Sequence, residues 1–381
     1  MNRSTDRILT THTGSLPRPA DLIEMIRSRE NGEPVDEAAF QKRVREAVFD
    51  TVQKQIDAGV DIVSDGEEGK PGYATYIKDR VTGFNGERQV TTRMQGEGRD
   101  YPEYTQRRMA TTATILKRPT CTGPIAWTDF AAVQRDIDNL KAAVEAKKPN
   151  AVFMTAASPG VVSFFLANDY YKSDDEYLEA LAAVLKDEYE AIAKAGFEVS
   201  LDCPDLAMSR QSQFVDLSLE EFRKVIGRHM EVLNEATKNI PSEQMRLHLC
   251  WGNYEGPHHL DVPMRDIVDI VLQTRAYAIS FEGANPRHAH EWNVWQDVKL
   301  PDGKVLVPGV IDSTTNFIEH PELVAQRIKH YADLVGKENV IAGVDCGFGT
   351  NAASTNVDHR IVWAKLAALT EGAALATKQL W

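Results

Sequence analysis

The chain has 381 residues, of which 43% are hydrophobic and 26% are charged. This composition is typical of a globular protein with a large core, and the length fits either two ordinary domains or one large barrel. The formal net charge of −13 argues against a surface for nucleic acid or anionic membranes, because both need clustered Lys and Arg.

Eight short apolar runs alternate with segments of helical periodicity. In chain order the runs are RILTTHTGS, VDIVSDGE, NAVFMTAASPG, FEVSLDCP, MRLHLCWG, AYAISFEG, KVLVPGVIDS and NVIAGVDCGFG. Helical segments such as DEAAFQKRVREAVFDTVQKQIDAG lie between them, and SLEEFRKVIGRHMEVLNEAT opens with a capping box. This alternation predicts an α/β fold, a single (β/α)8 TIM barrel over residues 1–381. An open doubly wound sheet is the alternative, although no GxGxxG motif follows the first run.

Residues from about 80 to 150 do not form a clean βα unit. The segment GERQVTTRMQGEGRDYPEYTQRRM is polar, and it predicts an excursion or lid after the second strand. The segment RPTCTGPIAWTD, further along, predicts a short hairpin.

The cysteines and the apolar runs bear on where the protein works. Cys121, Cys203, Cys250 and Cys346 are scattered along the chain, so they do not suggest a small disulfide framework. No apolar run reaches the roughly 18 residues of a membrane helix, and the N-terminus lacks the apolar segment of a signal peptide. We therefore expect a cytoplasmic protein whose free thiols serve a metal or catalysis.

Polar side chains stand at the end of every predicted strand. They are His12, Asp65 with Glu67, Ser158, Asp202, His248 with Cys250, Glu282, Asp312 and Cys346. Barrel enzymes carry their chemistry at the C-terminal ends of their strands, so this row of side chains predicts an active site there.

Four of these side chains predict a zinc site. His248 and Cys250 are two residues apart in one strand and point to the same side, and Glu282 and Cys346 end two other strands. Zinc accepts sulfur, nitrogen and carboxylate oxygen, whereas hard ions avoid thiolates. A substrate thiol could displace Glu282, bind as a thiolate and attack an alkyl carbon. The alternative is ordinary packing, because a buried cysteine usually behaves as a small hydrophobe.

Seven segments carry a resemblance to a known family. THTGSLPRP, SDGEEG, LDCPDLA, HLCWGNYEGPHH, SFEGANPRH, PGVIDSTTN and GVDCGFGT together resemble the cobalamin-independent methionine synthase superfamily, with its UROD/MetE-like barrel. They are most similar to the short, single-barrel group that includes epoxyalkane:coenzyme M transferases. The resemblance implies zinc ligands at His248, Cys250, Glu282 and Cys346, and it implies a homocysteine site at Ser15, Glu67 and Asp202.

Two departures from methionine synthases concern the methyl donor. Those enzymes carry a His where PGVIDSTT has Thr314, and they carry a Trp that SPGVVSFFL lacks. The resemblance therefore implies that the residues that bind the metal and the thiol are kept, whereas those that bind the methyl donor differ.

Further side chains near the strand ends are candidates for substrate contacts. The residues predicted to bind substrate are His12, Ser15, Arg18, Glu67, Asp202, Trp251, Asn253, Tyr254, Arg287 and Thr314. Arg18 and Arg287 could bind an anionic thiol tail, or they could form salt bridges within their loops. His258 or Asp202 could protonate the oxygen of an opened epoxide, although a loop His is often just solvated.

The leading hypothesis is a zinc-dependent thiol S-alkyltransferase that opens an epoxide with coenzyme M, with Asp202, His258 and Glu282 as catalytic residues. The alternative is methyl transfer to homocysteine from folate, a corrinoid or another donor. Glu67 and Asp202 favour this alternative because they suit an α-amino group. A third hypothesis is a non-catalytic zinc-binding barrel. The expected partners are a small thiol and a small alkyl donor, without nucleic acid or membrane, and a homo-oligomer is left open.

Overall fold

Eight parallel strands form one sheet in a computed structural model that describes residues 2–86, 96–111, 116–353 and 356–381. The sheet order is β1-β8-β7-β6-β5-β4-β3-β2, and an isolated parallel bridge between Thr11 and Ile62 brings the edge strands together. The strands are β1 Leu9–Thr10, β2 Ile62–Val63, β3 Ala151–Ala157, β4 Glu198–Asp202, β5 Met245–Leu249, β6 Ala278–Phe281, β7 Val305–Ile311 and β8 Ile341–Val344. The predicted α/β barrel is confirmed, and the open sheet is wrong.

Helices surround the strands, and several begin at the caps that the sequence indicates. Ser218 and Glu221 form the predicted capping box of α8, and the side chain of Asp36 caps α2. The helices are α1 Ala20–Asn31, α2 Glu37–Asp57, α3 Glu97–Asp100, α4 Pro102–Thr111, α5 Phe130–Lys147, α6 Pro159–Phe165, α7 Asp174–Lys194, α8 Leu219–Ala236, α9 Val268–Val271, α10 Pro321–Val335 and α11 His359–Leu380. Within the described ranges, none of them combines the length and apolarity needed to cross a bilayer.

The long connection between β2 and β3 contains both the excursion and a barrel helix. Helix α5 packs against α2 and α7, so it is the outer helix that precedes β3, although it lies within the segment predicted as excursion. The predicted hairpin at 118–129 is wrong, because Cys121 bridges to Asn168 and Trp127 to Val81, outside the segment. Of the predicted lid, 87–95 lies outside the described residues, and α3 and α4 form most of the rest.

The barrel interior is filled with side chains below the strand ends. Phe153, Val305 and Ile341 belong to a buried apolar cluster there. The Arg246 guanidinium lies 3.7 Å from the centroid of the Phe153 ring, and its Nε is 2.7 Å from Glu198 Oε1. This packed interior leaves the C-terminal ends of the strands as the place for an open site.

Candidate active site

Three side chains with metal-binding atoms converge at the ends of β5 and β8. One ligand atom from each of His248, Cys250 and Cys346 lies within 4.8 Å of the others, and all three residues are buried. The two Sγ atoms are 3.4 Å apart. His248 Nδ1 lies 3.3 Å from Ser280 Oγ, whereas Nε2 is buried without a hydrogen-bond partner among the described residues. An unsatisfied imidazole nitrogen beside two thiols fits a borderline or soft metal ion such as zinc.

Glu282, the fourth predicted ligand, lies beside this cluster with both oxygens engaged. Its Oε1 accepts from the Trp251 backbone N–H at 2.7 Å, and its Oε2 accepts from Asn285 Nδ2 at 2.7 Å. Asn285 Nδ2 also donates to Asp345 Oδ2 at 3.0 Å. Burial, and then the neighbouring Cys250, raises the pKa of Glu282 well above its ordinary value. The structure therefore groups three of the four predicted ligands, whereas the carboxylate of the fourth is engaged by the loops that follow β5 and β6.

Two carboxylates, Glu67 and Asp202, lie in the same cavity as the thiols. Glu67 Oε1 accepts from Thr155 Oγ1 at 2.9 Å, but Glu67 Oε2 and Asp202 Oδ1 are buried and have no partner within the described ranges. Burial, reinforced by the charge of Glu67, raises the pKa of Asp202 well above its ordinary value. Glu67 also has a positive φ of 59°, an uncommon conformation for a residue other than glycine. Buried carboxylate oxygens without partners can accept hydrogen bonds from a cationic ligand.

The cavity that contains both groups has a volume of about 950 Å³. Strand ends line one part of the cavity, its base, and the excursion together with the loop after β5 lines the other part, which we call its mouth. The predicted residues that line it are Ser15, Glu67, Asp202, His248, Cys250, Asn253, Tyr254, Thr314 and Cys346.

The loop after β5 supplies two polar side chains to the cavity wall. Asn253 donates from Nδ2 to the Gly347 carbonyl at 2.6 Å and accepts from Ser313 at Oδ1 at 2.9 Å, which ties the loop to the ends of β7 and β8. The Tyr254 hydroxyl donates to Glu97 Oε2 at 2.5 Å, which ties the same loop to α3 of the excursion.

Three predicted substrate contacts lie behind the cavity lining and support it from there. His12 donates from Nε2 to Gln55 at 2.7 Å, and burial lowers the pKa of this imidazole to about 4, so it is neutral at pH 7. Arg18 donates to the carbonyls of Gly349 and Glu67 at 2.8 and 2.6 Å, and thereby holds the loops that follow β8 and β2. Trp251 is fully buried and donates from Nε1 to the Val262 carbonyl at 2.7 Å.

His258 and Arg287 also lie outside the lining. Both His258 ring nitrogens are engaged, Nδ1 with Asp261 Oδ2 at 2.9 Å and Nε2 with the Tyr254 carbonyl at 2.9 Å. Arg287 is exposed and contacts the His259 carbonyl. The structure thus directs neither His258, one of the two predicted acids, nor Arg287 into the cavity, whereas Asp202, the other predicted acid, lines it.

Several lining residues were not among the sequence candidates. Tyr73 follows SDGEEGKPG, and burial, with Cys250, Cys346 and Asp202 nearby, raises the pKa of its phenol well above the ordinary value. The mouth also carries arginines from the excursion, and the sequence signal for Arg107 and Arg108 is the polar QRRM segment. The missed residues include Tyr73, Arg107, Arg108, Leu116, Arg118, Phe164 and Phe165.

Known proteins match this chain along most of its length. A family model described as the cobalamin-independent synthase catalytic domain matches residues 8–149. Methionine synthase of Thermococcus kodakarensis is 24% identical over 372 residues, covering 97% of this chain and 94% of that protein. The methionine synthase of Saccharolobus solfataricus is 23% identical over 375 residues, covering 97% and 95%.

Solved structures share the fold. A B12-independent methionine synthase from Shewanella sp. W3-18-1, in complex with selenomethionine, gives a TM-score of 0.74 at 21% identity, covering 98% of this chain and 99% of that chain. A putative vitamin-B12 independent methionine synthase from Listeria monocytogenes gives a TM-score of 0.63 at 17% identity, with coverages of 98% and 99%.

Proposed function

The family model and the methionine synthase relatives support membership of the cobalamin-independent methionine synthase superfamily, and from this premise we propose that the chain is a zinc-dependent enzyme that methylates the thiol of homocysteine. One observation carries the proposal: the His248, Cys250 and Cys346 cluster shares a cavity with two buried carboxylates. These relatives support the alternative hypothesis, methyl transfer, better than the leading one, epoxide opening by coenzyme M. They also favour a transferase over a non-catalytic barrel.

His248, Cys250 and Cys346 are the residues that would hold zinc. When bound there, zinc would lower the pKa of a substrate thiol, so that a thiolate is present at neutral pH. Glu282 already accepts hydrogen bonds from Trp251 and Asn285, which favours a substrate sulfur as the remaining ligand.

Glu67 and Asp202 would select the thiol. An α-ammonium group could donate to the unsatisfied oxygens of both carboxylates, which fits an amino-acid thiol such as homocysteine. Coenzyme M instead carries a sulfonate, which has no N–H group to donate to these oxygens. The unsatisfied oxygens of Glu67 and Asp202 therefore favour homocysteine.

The methyl group would move directly to the sulfur. The thiolate electron pair forms the new S–C bond while the bond between the methyl group and the donor breaks, and that electron pair stays with the donor. Thr314 occupies the position of the family His, and its Oγ1 donates to Asp312 Oδ1 at 2.8 Å. A threonine hydroxyl cannot deliver a proton as an imidazole does near neutral pH. A donor other than folate, such as a corrinoid, is therefore part of the proposal.

Zinc X-ray absorption on the purified protein tests this function. We expect one zinc per chain, and we expect its shell to gain one sulfur when homocysteine is added, but not with coenzyme M or glutathione. A gain with coenzyme M alone would instead favour epoxide opening. A protein without zinc, or a shell that no thiol alters, would contradict the catalytic-zinc mechanism.

A further inference from the structure

A buried lysine stands behind the carboxylates of the cavity. The Lys70 Nζ donates to the Thr155 carbonyl at 2.8 Å and lies 3.4 Å from Thr155 Oγ1. Thr155 Oγ1 in turn donates to Glu67 Oε1 at 2.9 Å, and of these three residues only Glu67 lines the cavity. We propose that Lys70 and Thr155 are positioning residues that hold Glu67 ready for the ammonium group of the thiol substrate. This inference rests on the proposed function, because it assumes an amino-acid thiol.

The single proton of the threonine hydroxyl is directed by the lysine. A hydroxyl donates one proton and can accept at its oxygen. The positive charge of Lys70 favours the oxygen of the Thr155 hydroxyl on its own side, so the proton points away from it, toward Glu67 Oε1. Oε1 is thereby satisfied from within the protein. Glu67 Oε2, which is buried and has no partner among the described residues, is left for a ligand.

Lys70 is held in place from two further sides. Its backbone N–H donates to the Glu67 carbonyl at 3.0 Å, so the lysine and the glutamate belong to one turn after β2. Its Nζ lies 4.4 Å from the centroid of the Tyr76 ring, and the Tyr76 hydroxyl donates to Glu188 Oε2 at 2.7 Å. An ammonium group over an aromatic face is attracted most strongly where water is excluded. The position of the ammonium group relative to Thr155 is therefore fixed.

The electrostatic setting of Lys70 differs from that of another buried lysine. Lys365 pairs with Glu319 at 2.9 Å, whereas Lys70 has no carboxylate in ion-pair contact within the described ranges. A buried ammonium group without a direct counter-charge is costly, so it needs compensation from charges further away. The more distant carboxylates that interact with Lys70 are Asp65, Glu188 and Asp202. Because Asp202 lines the cavity beside Glu67, the lysine is linked to both carboxylates of the thiol site.

The loop after β1 closes on the same side chains. A Cβ on Gly14 would lie 2.3 Å from Thr155 Cγ2 and 3.0 Å from Glu67 Oε1, so this position needs a glycine. The close approach leaves Thr155 and the Glu67 carboxylate little room to turn away from each other. The orientation of Glu67 is thus set by contacts behind the cavity lining, before any substrate binds.

Titration of the full, zinc-loaded chain with two thiols tests the inference. Homocysteine carries the ammonium group, and 4-mercaptobutyrate is the same thiol without it. In Thr155→Val, which keeps the shape of the side chain but removes the hydroxyl, we expect the Kd of homocysteine to rise by about tenfold and that of 4-mercaptobutyrate to change by less than about twofold. Lys70→Met should have the same effect. Thr155→Ser, which keeps the hydroxyl, should retain the preference of the parent protein for homocysteine.

Lys304→Met is the matched control for the loss of a lysine. Lys304 donates to the Ala276 carbonyl at 2.7 Å, as Lys70 does to the carbonyl of Thr155, but it stands directly before β7 and outside the cavity lining. We expect both Kd values to stay unchanged in this variant. If Lys70→Met does not fold, the comparison of Thr155→Val with Thr155→Ser decides the question alone.

Three outcomes would overturn the inference. Equal losses for both thiols in Lys70→Met and Thr155→Val would assign these residues to the fold of the cavity. Tighter binding of homocysteine in Lys70→Met would show that the lysine repels the ammonium group. A preference for homocysteine that all variants keep would show that Glu67 needs neither residue. A parent protein without this preference would instead contradict the proposed thiol substrate, and the inference would fall with it.

Discussion

The base and the mouth of the cavity are built from different kinds of chain and carry different side chains, thiols and buried carboxylates at the base and arginines at the mouth. At the base, His248, Cys250, Cys346 and Asp202 lie on barrel strands or within two residues of their ends, and each strand is held in register by its neighbours. At the mouth, the arginines stand on an excursion that meets the barrel through side-chain contacts such as Tyr254 with Glu97. A rigid base suits the placement of a reactive sulfur, whereas a mouth built from an inserted segment can change without disturbing the barrel. The two regions should therefore respond independently to substitution.

Removal of a thiol from the base should have the largest effect. In Cys346→Ser we expect zinc affinity to fall by at least about 100-fold, because one of three protein ligands is lost. Zinc content after dialysis against a chelator measures this effect. Cys121→Ser is the matched control, since Cys121 is equally buried but its Sγ contacts the Gly123 carbonyl, away from the cluster. Full zinc retention in Cys346→Ser would show that the cluster at the base does not hold the metal.

His12, which lies behind the lining of the base, should make the stability of the fold depend on pH. Burial, opposed by Gln55 and reinforced by Arg246, lowers the pKa of His12 from 6.5 to about 4. As the pH falls, the unfolded chain therefore takes up a proton on His12 before the folded chain does. The contribution of neutral His12 to the free energy of unfolding is complete above pH 6.5, and it is lost as the pH falls toward 4. A shift of this size corresponds to about 3 kcal/mol.

Urea unfolding of the parent protein and of His12→Asn between pH 7 and pH 4 measures that contribution. The parent should lose more free energy of unfolding than the variant across this range, because all other titrating groups are common to both. Parallel losses in the two proteins would show that His12 does not titrate within the folded base.

The same division explains what the sequence could predict. Strand ends such as Asp202, His248 and Cys346 were identifiable because a barrel always collects the C-terminal ends of its strands on one face. The orientation of Glu282 was not, because it depends on hydrogen bonds from Trp251 and Asn285 that no periodicity reports.

Sequence patterns do not predict which residues line most of the mouth. Arg107 and Arg108 line the cavity through a segment without strand alternation, and the Tyr254 ring that Arg108 covers is far along the chain. Helix α5 lies within the segment that the sequence predicts as excursion even though Asp129 caps it, because the polar segment before it obscures where the barrel pattern resumes. Long-range packing of an insertion has no local sequence rule comparable to the strand-end rule.

Loss of a carboxylate at the base should weaken thiol binding by roughly 10- to 100-fold. In Asp202→Asn and Glu67→Gln we expect the Kd of homocysteine to rise by this factor, because a charge-assisted hydrogen bond to the ammonium group is lost. Titration with 4-mercaptobutyrate, which lacks the amino group, is the matched control and should show no such loss. If both ligands weaken equally, the carboxylates act on the fold of the cavity rather than on the ammonium group.

The smallest effect should come from separating the mouth from the base. Tyr254→Phe removes the hydroxyl that donates to Glu97 Oε2 and that lies 3.0 Å from Gln211 Oε1, but it keeps the ring beneath Arg108. We expect faster amide hydrogen exchange in α3 and α4, because a contact that anchors the excursion is lost. The Kd of homocysteine should change by less than about twofold, because the strands and not this hydrogen bond hold the thiol site in place. A large loss of homocysteine affinity would mean that the excursion completes the thiol site, and the base and the mouth would then have to be treated as one unit.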